Sequence, residues 1–542
     1  MKCRHAHSAV AIVCVWFLFL ATVLSAQEST NRPHVGVPQD WSQRYILFSR
    51  DALLQHPEVI YREPRVQHQA MQRWQARDST IVPGVGTTQA PATSGSNQQD
   101  WNVTLRGGRI SPNMYPAKFS FDPAAAPSCA NDYVVFGTTA AGVTGGNASL
   151  VAFNNLYAGT GGLCGAAPTV LFAYNTTTVS GGHIVTSPVL SLDGKKIAFV
   201  ESLSGSAIFH VLTWSAGQGG IATAAAPTMT SLTYSPTSNN TSSSPWVDYG
   251  ADIAYVGADN GRIYKITGVF KGTPTLAGGV WPVTVSNNFH LTAPVLDSRL
   301  GRLMVGSANG NLYQINTATG ALAFLAVGRT SPNHGILAPP IVDITNGTTF
   351  VVSSNDGTSG VLVEADTATL TQLAKARIGL ASVSGTAINL YQPAFSDSYY
   401  NNPSTGVVRL CGTGAADTTP WQYAFGFTGR TMQTSPSFSR QLLTSTAARC
   451  TGWTEFFNPN INGGTDFFFF GLSQDCTTPS GGPTDGCVVA RTSDAVLIKA
   501  TITGGPTGIV TDNYSTAGQA SSIYMMAKNV DIAYKFTQTL GP

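Results

Sequence analysis

Seven times between Tyr115 and Pro436 a proline heads an apolar strand, and this recurrence constrains the fold more than any other feature of the chain. The pairs are Tyr115-Pro116, Ser187-Pro188, Ser244-Pro245, Ala293-Pro294, Pro339-Pro340, Gln392-Pro393 and Ser435-Pro436. Their intervals are 72, 57, 49, 46, 53 and 43 residues. An aspartate follows most of them (Asp122, Asp193, Asp248, Asp297, Asp343 and Asp397), and then an apolar run such as Lys196-Ile-Ala-Phe or Arg302-Leu-Met-Val. An eighth run, Ser522-Ile-Tyr-Met, follows Val510-Thr-Asp512 without the proline. Self-similarity at 40–50 residues is the mark of a repeat architecture.

Two units show the rest of the pattern. Tyr255-Val-Gly-Ala-Asp-Asn260-Gly261-Arg-Ile-Tyr264 matches Met304-Val-Gly-Ser-Ala-Asn309-Gly310-Asn-Leu-Tyr313. Asn-Gly between alternating apolar residues predicts a tight hairpin with positive φ at both turn positions. A further turn at Thr319-Gly320 leads into a fourth strand, so each unit reads as a four-stranded antiparallel meander, the size of one propeller blade. Proline has no N–H and is tolerated at strand starts and edges. The first strand of each blade lines the central channel and is such an edge, whereas a β-sandwich has no need of the repeated proline. The expected fold is all-β: a β-propeller of eight blades rather than seven, over 101–542. The eighth unit supplies only three strands, and Trp101–Leu105 is the candidate outer strand that closes the ring and removes the exposed edge.

Ahead of the propeller lie three further segments. Lys2 and Arg4, the apolar run Ala9–Leu24 and the ending Leu24-Ser25-Ala26 describe a secretory signal peptide over 1–26. Residues 27–78 are charged, with seven arginines and six acids, and read as a partly helical N-terminal extension broken at Pro57 and Pro64. Residues 79–100 are rich in Thr, Ser, Gly, Pro and Gln and read as a linker. Six cysteines remain after the leader: Cys129, Cys164, Cys411, Cys450, Cys476 and Cys487. An even count in an exported chain predicts disulfides, and short loops favour Cys129–Cys164 and Cys476–Cys487, which leaves Cys411–Cys450. The expected location is secreted, periplasmic or at the cell surface, with no transmembrane segment after cleavage.

Charged residues make up 11% of the chain and the formal net charge is +2. That excludes a highly charged disordered chain and gives no clustered basic surface for nucleic acid. The run Arg302–Leu322, more weakly Ala251–Thr267 and Val351–Thr367, resembles the repeat of pyrroloquinoline-quinone-type (quinoprotein dehydrogenase-like) propellers. The resemblance implies the fold; enzymes of that family also carry a vicinal cysteine pair and an acidic calcium site. This chain has no adjacent cysteines, only Glu201, Glu364 and Glu455 as glutamates in the repeat region, and Phe324 where many blades of the family have a docking tryptophan. No cofactor is expected, and a quinone-dependent oxidoreductase is the remotest of the readings.

No nucleophile elbow, zinc-binding helix or phosphate-binding loop occurs. The aspartates recur at one blade position, which suggests turn duties in every blade and not an acid/base pair. His183, His290 and His334 precede strand-leading prolines by four to six residues, and Tyr115, Tyr391 and Met432 hold related places. In a propeller these six converge on one channel mouth, where they form a candidate ligand site, each histidine capping its own loop being the alternative. The resulting reading is a secreted, monomeric, non-enzymatic scaffold for an extracellular protein, peptide or glycan; the alternative is a carbohydrate-active lyase or glycosidase acting at that mouth.

Overall fold

In the computed structural model, eight antiparallel sheets follow one another along the chain, each a blade, as the repeat requires. Residues 36–78, 97–106, 114–120, 127–203, 205–236, 241–329, 335–458, 464–476, 485–492, 496–512, 522–528 and 530–538 are described. The leader over 1–26 lies outside them. No helix among the described residues is long and apolar enough to cross a membrane.

The innermost strands of blades 1 to 8 are Ala117–Ser120, Val189–Leu190, Trp246–Asp248, Val295–Asp297, Ile341–Asp343, Ala394–Phe395, Thr454–Asn458 and Val510–Asp512. The innermost strand of blade 8 packs against that of blade 1, so the ring is closed. Blade 8 takes its outer strand, Asn97–Thr104, from the N-terminal side: Asn102 pairs with Tyr534 and Thr104 with Ile532. The strand begins inside the segment read as linker, whose residues 79–96 lie outside the described part.

Blades stack face to face, so both sides of a central strand are buried and period-2 alternation serves two interfaces. Phe467 and Phe469 join the core shared with blade 8. Phe468 and Phe470 join the core shared with blade 6, where Phe470 stacks on Trp453 at 4.2 Å. That is why four successive phenylalanines fit one strand.

Two local expectations change. The Asn-Gly loops are not two-residue turns with positive φ throughout: only Gly261 (φ 76°) and Gly310 (φ 85°) are left-handed. Gly261 N–H donates to Ala258 O at 3.0 Å and Arg262 N–H to Asn260 Oδ1 at 3.1 Å, so the asparagine acts through its side chain in a three-residue loop. Pro436, read as heading the seventh inner strand, instead precedes Phe438–Gln441, which pairs with Trp421–Ala424 as the outer strand of blade 6. The true seventh inner strand, Thr454–Asn458, has no proline. Elsewhere the aspartates at inner-strand ends make Asx turns: Asp297 Oδ1 accepts from the Arg299 and Leu300 N–H groups, and Asp343 Oδ1 from those of Thr345 and Asn346. The three disulfides are Cys129–Cys164, Cys411–Cys450 and Cys476–Cys487, with Cα separations of 5.4, 6.0 and 5.9 Å.

The charged extension is inside the ring. Val37–Gln39 pairs antiparallel with the inner strand of blade 1, and Ile46–Leu47 pairs in parallel with that of blade 5. Between them the 3-10 turn Trp41–Tyr45, capped by Asp40, must cross the axis, because its flanks bind opposite blades. Helices Arg50–Gln55, Glu58–Arg62 and Pro64–Asp78 follow, against the face where the inner strands end.

Candidate functional site

In blades 1 to 6 the inner strand is led by a residue forced into extended geometry by the proline after it. These residues form the wall of a mouth at the face where the strands start. Tyr115 N–H donates to Ser187 Oγ at 2.9 Å, and Ser187 N–H donates to Ser244 Oγ at 2.9 Å. One blade's pre-proline hydroxyl thus holds the backbone of the blade before it. The mouth encloses a cavity of about 290 Å³, lined by Tyr115, Ser187, Ser244, Ala293 and Pro339 of this register. His290, Asn389 and Tyr391 complete the rim, and Trp41 and Tyr45 of the axial turn form the floor.

Tyr115 is 4% exposed and its hydroxyl accepts a hydrogen bond from Gln392 Nε2. Burial pushes the phenols of Tyr45, Tyr115 and Tyr391 above their usual pKa, so all three stay neutral hydrogen-bonding groups. His290 Nδ1 lies 3.0 Å from Asp259 Oδ1, and this hydrogen bond raises the imidazole's pKa against the opposing effect of burial. Two buried polar atoms at the cavity have no partner among the described residues: Trp41 Nε1, a donor, and Asn389 Oδ1, an acceptor. A native interior rarely leaves such atoms unpaired, and pairs of this kind at a cavity are suited to a ligand offering both donors and acceptors.

The architecture has counterparts among solved structures. The Dos1 propeller aligns with a TM-score of 0.50 at 13% identity, covering 82% of this chain and 96% of that one. BamB from Moraxella catarrhalis aligns at 0.44 and 13% identity, covering 81% and 99%, and Sqt1 from Saccharomyces cerevisiae at 0.46 and 10%, covering 82% and 99%. At such identities the likeness concerns the fold. No protein-family model matches the chain, and no curated protein matches it.

Of the six residues read from the sequence as mouth candidates, the structure brings together Tyr115, His290 and Tyr391. His183 is not at the cavity; its Nδ1 lies 3.1 Å from Gly181 O, within its own loop. Met432 is buried between blades 5 and 6, with its N–H donating to Glu364 Oε2 at 2.6 Å. Its misplacement follows from the reassigned Pro436. His334 lies outside the described residues. Among the described residues no group of three or more His, Cys, Asp or Glu side chains is placed to hold a metal.

Trp41, Tyr45, Ser187, Ser244 and Asn389 are the site residues that sequence reasoning passed over. Ser187 and Ser244 had a signal, since they stand directly before the repeated proline. Trp41 and Tyr45 had none: an aromatic pair in a charged extension does not announce that it will cross a channel formed by later residues.

The other end of the channel is sealed by charge. Arg65 donates to Glu63 Oε1 (2.9 Å), Ser42 Oγ (2.7 Å) and Val247 O (2.9 Å), with its guanidinium 4.1 Å from the centre of the Trp246 ring. Arg73 bridges Asp397 (2.8 Å) and Glu455 (2.9 and 2.6 Å) and lies over Tyr400 at 3.7 Å. Burial, and then the charge of the neighbouring Glu455, push the Asp466 carboxyl well above its usual pKa.

Proposed function

We propose that this chain is an exported, non-enzymatic binding propeller that takes the polar tip of an extracellular protein, peptide or glycan into the channel mouth. One observation carries the reading: a cavity walled by hydroxyls and floored by aromatic rings keeps a buried donor, Trp41 Nε1, and a buried acceptor, Asn389 Oδ1, without partners among the described residues. Its volume is at the lower end of ligand pockets, which run from roughly 300 Å³. That is room for one sugar ring or one side chain, so the rest of a larger ligand would lie on the face. The loops around the mouth, which differ in every blade, would then supply selectivity. The six bridged cysteines fit an oxidising compartment.

The test is stoichiometric binding on glycan and secretome arrays, repeated with Trp41→Phe. Saturable binding by the wild type, weakened about tenfold or more when the indole N–H is lost, supports the proposal. Binding indifferent to Trp41→Phe, or turnover of a glycan without stoichiometric binding, refutes it. The Asp259–His290 pair at the rim favours a second reading, a carbohydrate-active enzyme that uses a carboxylate-held imidazole. Product formation abolished by His290→Asn would select that alternative.

A further inference from the structure

We propose that a second cavity, between the N-terminal turn and blades 6 to 8, binds a small oxyanion anchored by Arg44. This cavity measures about 80 Å³, and Arg44, Arg73 and Trp453 are among its lining residues. A cavity holds a water once it offers roughly 10–15 Å³ on this measure, so there is room for a group the size of a carboxylate.

The chemistry of the lining points to an acceptor. Arg44 Nε, Arg73 Nε and Trp453 Nε1 are all buried, and none has a hydrogen-bond partner among the described residues. All three are N–H donors, and a ligand serving them needs lone pairs and no hydrogens of its own. The acids nearby are already engaged. Glu455 gives both its oxygens to Arg73, Asp397 shares the same guanidinium, and Asp40 accepts from Ser42. Arg44, half-buried on the axial turn, makes no ion pair among the described residues; the nearest acid acting on it, Glu455, is already spent on Arg73. A guanidinium does not neutralise itself by losing a proton, so one that faces a cavity with its nearest acid already engaged favours a further counter-charge there. A planar carboxylate presents two oxygens to a guanidinium fork and suits the site better than a spherical halide.

The experiment is thermal unfolding of the whole protein in acetate, formate, phosphate or chloride at constant ionic strength. It is paired with line broadening of ¹³C-acetate in NMR, which reads binding directly. A ligand that binds only the folded state raises the midpoint by mass action. The expected result is a saturable rise with acetate or formate beyond that in chloride, loss of the rise in Arg44→Gln, and at least tenfold weaker acetate binding in Arg44→Lys, which keeps charge but loses the fork. Phosphate acting in place of the carboxylates identifies a tetrahedral oxyanion as the occupant and still supports the site. No broadening and no excess rise in the folded wild type overturns the proposal, as does an acetate response unchanged in Arg44→Lys. Trp41→Phe leaves Arg44 in place, so failure here and failure at the mouth are separable.

Discussion

The two ends of the channel are built from opposite chemistry. At the mouth, neutral hydroxyls and phenols from several blades face a cavity where Trp41 Nε1 and Asn389 Oδ1 have no partner among the described residues. At the closed end, Arg73 of the N-terminal helix enters between carboxylates of blades 6 and 7, and Arg65 pairs with Glu63 of the extension. Both ends are made from inner strands of the same repeat. What separates them is the extension threaded between them, which offers aromatic rings to one side and guanidinium groups to the other. Adhesion and the proposed recognition thus use different parts of one N-terminal insert.

The largest test of that contrast is Arg73→Met. Removing one partner of a buried ion cluster leaves Asp397 and Glu455 uncompensated and is expected to cost about 3–5 kcal/mol in denaturant unfolding. A loss below about 1 kcal/mol would mean that the closed end is held by apolar packing alone. Next in size is a pH effect near the same end. Glu364 is buried, its Oε1 is unpartnered among the described residues, and desolvation pushes its pKa up to about 7 from 4.5. The folded state therefore binds the extra proton, and its contribution to stability is present below about pH 4.5 and lost as pH rises to about 7. Glu364→Gln is expected to flatten that decline in unfolding midpoints measured from pH 4.5 to 8. A variant that declines as steeply as the wild type contradicts the assignment.

Substitutions at the mouth are expected to be milder for stability. Ser244→Ala strips the acceptor from the buried Ser187 N–H, a loss of about 1–3 kcal/mol. Ser242→Ala, at an exposed position of the cavity rim, is expected to stay within about 0.5 kcal/mol. If ligand binding falls in both while unfolding changes only in the first, the mouth's roles in recognition and in holding blades together are distinct.

Much of this was legible in the chain. Eight blades, inner strands headed by proline and an N-terminal helical extension all follow from local rules on backbone geometry, and the repeated aspartates from turn chemistry. The Asn-Gly turns were misread locally, since the asparagine side chain takes a turn hydrogen bond; the misplaced strand has another cause, long-range register. Ser435-Pro436 looks like any other strand-leading pair, and only its pairing with Trp421–Ala424 assigns it to an outer edge. Met432 was misplaced with it. Sequence distance from a proline led to His290, which lies at the cavity rim, and to His183, which does not, because loops of similar length direct their side chains differently. The axial position of Trp41 depends on contacts with Leu190, Trp246 and Val342 regions far along the chain, which no local pattern encodes.

Asn97–Thr104 pairs with Ile532–Gln538, and the segment before it pairs with blades 1 and 5. During synthesis these early residues emerge hundreds of positions ahead of the strands that receive them. The earliest part of the propeller to be made is therefore among the last that can settle. Until then the nascent chain carries a helical insert without its socket, and a late truncation would orphan the start of the molecule as surely as its end.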